Sequence, residues 1–232
     1  IAAKKGFTDP RLQEWMSAAG KTTRNALLNY ERSFGTHNRK ILVGTERIIG
    51  KSMDFWAYRR FFSSESLDQM FAGGDAQKDN GGAGNDNARL NYFGRVNYSF
   101  ASKYLAEFVW RYDGSYIFPA DKRFGFFPGV SLGYRISDEN FWKDNLPFIN
   151  EMKIRGSWGK TGNDLVDPYQ FMTTYGYSGT YIFNQSTSEK TLSALRIPNA
   201  NITWEVANQS NIGFDAQLLN DKFSVSADYF YN

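Results

Sequence analysis

Four stretches of the sequence hold residue types that chemistry could use. Gly20-Lys21-Thr22 has the ending of a phosphate-binding loop, in which backbone amides and a lysine cradle phosphate oxygens. That loop requires a glycine five residues before its last one, and Trp15 stands there. Ser157-Trp158-Gly159-Lys160 followed by Thr161-Gly162 matches pieces of a β-lactamase signature. The two pieces overlap on one segment, and no Ser-Asp-Asn lies between them. His37 is the only histidine, so a two-histidine metal site is excluded, and zero Cys excludes thiolate ligands, a Cys nucleophile and disulfides. It falls in the turn-rich tetrad Gly35-Thr36-His37-Asn38, where a solvated turn histidine is expected in place of a triad member. The run from Asp75 to Asn87 contains Asp79, Asp86 and several Asn, but lacks the ligand order and distal Glu of a calcium loop. No residue set supports catalysis; an enzyme, a metal and a cofactor are not expected.

Binding is better provided for. Between 169 and 185, Tyr169, Phe171, Tyr175, Tyr177, Tyr181 and Phe183 alternate with Gly and Thr before Asn184-Gln185. Aromatic faces stack on sugar rings, and amides bind hydroxyls. Tyr169, Tyr175, Tyr177, Tyr181 and Asn184 are therefore candidate substrate contacts on a long loop; the competing reading has these aromatics packing against neighbouring loops or continuing strands. The same bias runs through all 232 residues, of which 17% are Phe, Tyr or Trp. A net charge of +3 argues against a nucleic-acid partner. No apolar run reaches the roughly 18 residues of a membrane helix, which leaves a β-barrel open because its strands hide only alternate residues.

Strands must position these residues. Over 103–113, Tyr104, Ala106, Phe108, Trp110 and Tyr112 share one face, with Lys103, Glu107, Arg111 and Asp113 on the other. Over 89–100, Leu90, Tyr92, Val96, Tyr98 and Phe100 oppose Arg89, Asn91, Arg95, Asn97 and Ser99, and only Ala101-Ser102 separates the two runs. The alternation returns at 124–136, at 151–161, where Lys153 and Arg155 lie opposite Ile154 and Trp158, at 203–218 and at 222–232. With less sorted runs at 22–33 and 39–49, eight strands are predicted. Tight turns at 35–38, 101–102 and 220–221 and a moderate one at 137–150 alternate with long excursions at 50–88, 114–123 and 162–202. Short turns on one side and long loops on the other describe an antiparallel outer-membrane barrel, whose strands need about 9 to 11 residues to cross. Tyr, Trp and Phe on the apolar face suit a headgroup-level girdle better than a dry core, although a secreted, aromatic-rich, carbohydrate-binding β-sandwich is the alternative. In the 50–88 excursion, Ser66-Leu67-Asp68-Gln69 reads as a capping box opening a short helix through Phe71, stopped by Gly73-Gly74.

Four ordered blocks resemble the barrel of SusC-like (SusC/RagA) TonB-dependent outer-membrane transporters. They are Arg111-Tyr112-Asp113-Gly114-Ser115 with Gly125-Phe126-Phe127-Pro128-Gly129-Val130-Ser131-Leu132-Gly133-Tyr134-Arg135-Ile136-Ser137; Lys153-Ile154-Arg155-Gly156-Ser157-Trp158-Gly159-Lys160-Thr161-Gly162-Asn163; Pro198-Asn199-Ala200-Asn201-Ile202-Thr203-Trp204-Glu205; and Asn211-Ile212-Gly213-Phe214-Asp215. The resemblance covers Arg89 to Asn232 most strongly, and Tyr116-Ile117 departs from the family pattern in a way expected to alter an external loop tip. The resemblance implies a barrel of about 22 strands around a plug domain, importing oligosaccharides or peptides with energy supplied through TonB. It also implies a capping lipoprotein of the SusD type, outer-membrane lipid around the wall, and a Gram-negative cell of the Bacteroidetes type. Eight strands make this chain an internal part of the barrel domain over 1–232, without plug or barrel C-terminus. Lys103, Glu107, Arg111, Lys153 and Arg155 are then lumen residues facing the plug. A self-contained barrel of eight strands is a further alternative, because eight can close.

Overall fold

The computed structural model describes residues 10–64, 66–146, 148–184 and 187–232. Its strands are β1 (Arg11–Phe34), β2 (His37–Arg60), β3 (Asp79–Phe100), β4 (Tyr104–Ser115), β5 (Phe124–Arg135), β6 (Ile149–Asn163), β7 (Tyr175–Phe183), β8 (Thr187–Ala194), β9 (Glu205–Leu218) and β10 (Phe223–Tyr231). One short helix, α1 (Asn140–Asn145), precedes β6. Eight strands form one sheet in the order β1-β2-β3-β4-β5-β6-β9-β10, while β7 and β8 pair only with each other. The order leaves β1 and β10 as edges, against a self-contained barrel of eight strands. It is the antiparallel meander that tight turns between alternating runs impose. The first three strands are longer than the sequence pattern suggests: β2 and β3 run deep into the 50–88 excursion and leave 61–78 as the connection.

The chain clusters into two compact units, 1–23 with 48–88, and 24–47 with 89–232. In the first, the Trp56 indole lies over Gly81, where a Cβ would overlap it, so only glycine lets the ring lie flat on the neighbouring strand. Lys51 reaches Asp86 at 3.3 Å, and Arg59 donates to the Gly73 carbonyl at 3.0 Å. The expected capping box does not form. The Ser66 amide donates to the Ser64 hydroxyl, Gln69 stays extended, and only a 3-10 turn, Met70–Ala72, follows. The Asp75–Asn87 run is strand in its second half, and Asp75 accepts from Lys78. No cluster of metal-ligating side chains exists among the described residues.

In the second unit the register sorts the faces. Tyr92 lies opposite Tyr112, Val96 opposite Phe108, Phe108 opposite Val130, and Tyr134 opposite both Tyr104 and Ile154. Ile154 continues this row to Phe214, and Phe214 to Ala227. Phe108, Leu132, Ile154 and Ile212 on this face are exposed. The opposite face pairs Asn97 with Glu107, Glu107 with Ser131, Ser131 with Ser157, and Lys153 with Asp215. A continuous apolar face left uncovered and a charged face turned the other way invert what a sandwich core would show. The β3–β4 turn is a tight hairpin one residue longer than the alternation predicts, Ala101 to Lys103: Ala101 and Ser102 both take positive φ, and the Lys103 amide returns to the Phe100 carbonyl at 3.0 Å. His37 is not a solvated turn residue. It opens β2, shares a 2.7 Å hydrogen bond through Nδ1 with the Tyr98 hydroxyl, and packs on Phe100 with ring centroids 4.8 Å apart.

Candidate functional site

The charged face spends most of its charge within the sheet. Arg155 on β6 is the best-fastened residue, because its guanidinium reaches two strands at once. It donates to Asp215 on β9 at 3.1 Å and 3.3 Å, and to Asp228 on β10 at 2.6 Å and 2.8 Å. The Ser226 hydroxyl adds a 2.8 Å bond to Asp215. A forked guanidinium between two carboxylates fixes the three strands in register and leaves the trio with an excess of negative charge. Arg111 forks onto Asp113 two residues along its own strand, with bonds of 2.8 Å and 3.0 Å, and its guanidinium lies over the Phe93 ring. Glu107 sits 3.4 Å from Arg95, and Lys153 stands between Arg135 and Asp215 in register. Between these groups runs a hollow whose lining includes Glu107, Arg111, Ser131, Ser157, Gly159 and Asn211.

Lys103 lies elsewhere. It belongs to the β3–β4 turn, and its ammonium donates at 2.9 Å to Glu139 in the β5–β6 connection. The other carboxylate oxygen accepts from the hydroxyls of Tyr104 at 3.1 Å and Tyr134 at 3.2 Å, whose rings stack 5.0 Å apart on the apolar face. The Lys103 bond foremost, with these phenols, holds the Glu139 carboxyl below the usual carboxylate range. One acid thus ties two short turns together.

At the opposite end the connections carry a core of their own. Phe118 is wholly buried with Ile117 and Ile202, and Tyr116, Phe171 and Trp204 pack around them. The departure at Tyr116-Ile117 is therefore no loop tip: Ile117 is core. Trp204, which alternation assigns to the apolar face beside Val206, instead precedes β9. Its ring lies 5.3 Å from Phe118 and 5.2 Å from Phe127, and its indole N–H donates to the Arg123 carbonyl at 3.0 Å. Phe127 fills the space that a Cβ at Gly162 would need. Asp164, the first residue after β6, accepts two 3.0 Å bonds from Arg89 on β3 and one of 2.8 Å from the Ser115 hydroxyl on β4. Both ends of the 164–204 connection are thereby fixed to the wall.

From that base rises the β7–β8 hairpin, absent from the sequence reading. Its pairing shifts by one residue between Tyr177 and Thr180, and Gly179 takes φ +90. The bulge reverses the alternation. Tyr175 and Tyr177 therefore share a face with Thr180, Ile182, Lys190 and Leu192, while Tyr181, opposite Glu189, lies on the other face. Tyr175 is 65% and Tyr177 72% exposed, with the Lys190 ammonium 5.8 Å from the Tyr177 ring. Tyr169 is not part of the hairpin: it sits at positive φ below it, edge-on to Tyr116. Asn184 is exposed at the hairpin turn, and Gln185 and the Phe183 side chain lie outside the described residues. Of the five loop candidates, only Tyr175 and Tyr177 are brought side by side. The Ser157–Lys160 segment is plain strand within β6, and Gly20-Lys21-Thr22 plain strand within β1.

The family model for the TonB-dependent receptor-like β-barrel matches residues 6–232. The TonB-dependent receptor P3 of Formosa agariphila is 31% identical over 215 residues, covering 90% of this chain and 21% of that protein. The TonB-dependent receptor SusC of Bacteroides thetaiotaomicron is 33% identical over 147 residues, 62% of this chain and 15% of that one. The solved RagAB peptide transporter superposes with a TM-score of 0.80 at 21% identity, over 96% of this chain and 24% of that one, a likeness of fold. The match thus spans only 15 to 21% of the length of these curated relatives. An uncovered aromatic face, a charged opposite face and short turns against long connections are what a membrane-spanning barrel wall presents, and with these matches the chain belongs to the SusC-like TonB-dependent receptors, an outer-membrane transporter family, as part of their antiparallel β-barrel.

Proposed function

We propose that this chain forms part of the wall of an importer that takes oligosaccharides or peptides across the outer membrane of a Gram-negative cell of the Bacteroidetes type, driven through TonB and covered by a SusD-like surface lipoprotein. In this reading residues 1–232 are all barrel, and the rest of the polypeptide supplies the plug and the closing strands. Lys153 and Arg155 then face the plug with Glu107 and Arg111, as binders of its backbone more than of substrate, while Lys103 braces the short turns. The β7–β8 hairpin carries the substrate reading, because Tyr175 and Tyr177 stand exposed on one face of a ribbon whose base is fixed. Two adjacent rings beside a lysine suit a sugar ring or an extended peptide. RagAB, whose solved structures this chain resembles in fold, is a peptide transporter.

The test is uptake of oligosaccharide and peptide mixtures by cells carrying Tyr175→Ala with Tyr177→Ala in the full-length receptor, normalised to folded barrel. Stacking on the order of 1 to 3 kcal/mol per ring, the range for bases on aromatic side chains, makes a loss of at least several-fold the expected result. Tyr181→Ala, on the opposite face, should leave uptake nearly intact. Unchanged uptake in the double variant assigns both rings to packing and withdraws the site.

A further inference from the structure

The apolar face does not end where the strands do. At the short-turn end of β6 one extra residue is inserted between Ile149 and Glu151 opposite β9. A one-residue bulge reverses the alternation of side chains. Ile149 consequently pairs with Leu218 and joins the apolar face of Ala216 and Phe214, away from Lys153 and Arg155. Leu218 in turn lies opposite the exposed Phe223 of β10. The chain leading into β6 leaves two further large apolar side chains uncovered beside it: Phe148 is 51% exposed, and Phe141, in the first turn of α1, 56%. The start of α1 is held on the apolar side of the wall, since Glu139, the residue before it, is bonded to the hydroxyls of Tyr104 and Tyr134.

Uncovered phenylalanines on and just after a six-residue helix are costly in water and favourable at the boundary between headgroups and acyl chains, where an apolar face sinks by about 5 to 10 Å. We propose that the β5–β6 connection is a membrane anchor. Phe141 and Phe148 insert among the first acyl carbons of the leaflet next to the short turns, Glu139 and the two tyrosine hydroxyls mark headgroup depth, and the exposed Lys143 reaches toward lipid phosphate. The occupant of this surface is phospholipid, because Ile149 and Phe223 continue the lipid-facing belt past the last strand pairs and the uncovered Phe141 and Phe148 adjoin them. The inference rests on that belt facing lipid, and not on which compartment the turns face.

The experiment uses the full-length receptor in phosphatidylcholine nanodiscs with a single bimane-labelled cysteine, from Phe141→Cys, Phe148→Cys, Asp144→Cys or Leu132→Cys. Heat-modifiable migration confirms that each barrel is folded. Lipid carrying a nitroxide near the headgroup should quench positions 141 and 148 several times more strongly than 144, and aqueous iodide should do the reverse. Iodide reaching 141 and 148 as freely as 144 overturns the anchor, as does silence toward both quenchers, which would mean that protein covers the turn. Position 132 separates the two levels of the argument: its quenching by a nitroxide deep in the acyl chain reports the belt itself. Loss of that signal would sink the barrel-wall reading and the anchor with it.

Discussion

Neighbouring residues of β4 face different solvents. Phe108 lies between Val96 and Val130 on the apolar face, while Glu107 lies between Asn97 and Ser131 on the charged one. Arginine at a lipid-facing midplane position costs roughly 2 to 4 kcal/mol, whereas a change on the lumen side costs far less. The half-exposed Glu107–Arg95 pair is itself worth less than about 1 kcal/mol. Phe108→Arg should therefore cut the yield of folded barrel in lipid sharply and Glu107→Arg only slightly; equal yields would reverse the face assignment. These faces were legible in the sequence because period-2 alternation survives wherever each side has one solvent. Trp204 was not, since its position fits the alternation but its ring turns to a core made by residues about 80 positions away. Phe118 and Ile117 gave a weaker hint, two apolar residues inside a supposed loop. His37 was misjudged for the same reason as Trp204: Tyr98, its partner, is distant in sequence.

Among the elements, the turn that Glu139 holds makes stability depend on pH. Its carboxyl is held below the ordinary range by Lys103, Tyr104 and Tyr134, so the folded state keeps the charge more firmly than the unfolded one. The sign follows: the contribution is complete above the ordinary carboxylate range and drains away as pH falls through the lower folded-state value. Glu139→Gln lacks it throughout. The Tm of the wild-type barrel should exceed that of Glu139→Gln at neutral pH, and the gap should close in acid; a gap that is constant down to the lowest pH the barrel tolerates would assign the effect to packing. The main strands were foreseen, while β7 and β8 escaped because Gly176 and Gly179 in the first and Glu189, Lys190 and Ala194 in the second lower β-propensity, and the bulge at 178–179 breaks the period that would reveal them. The extensions of β1 and β3 escaped similarly, for Ala18-Ala19-Gly20 and Gly81-Gly82-Ala83-Gly84 carry no alternation.

For the whole molecule, the long connections and the short turns should lie on opposite sides of the membrane. Asn80→Cys, near the 61–78 connection, and Ser178→Cys, on the hairpin, should react with an impermeant thiol reagent on intact cells, while Thr36→Cys and Asp221→Cys in short turns should not. Labelling of Thr36→Cys with protection of Ser178→Cys would invert the orientation. The base of the hairpin closes on backbone bonds from the Leu195 amide to the Thr174 carbonyl at 2.9 Å and from the Asn199 amide to the Gln170 carbonyl at 2.7 Å, while Asp164 on one flank and Ile202 on the other are already fastened to the wall. What lies between is therefore an exchangeable cassette. Each doubling of its length costs only about 0.6 kcal/mol in closure entropy, so the ribbon can change in length and in side chains while the wall beneath it keeps its register and does not have to refold around the change.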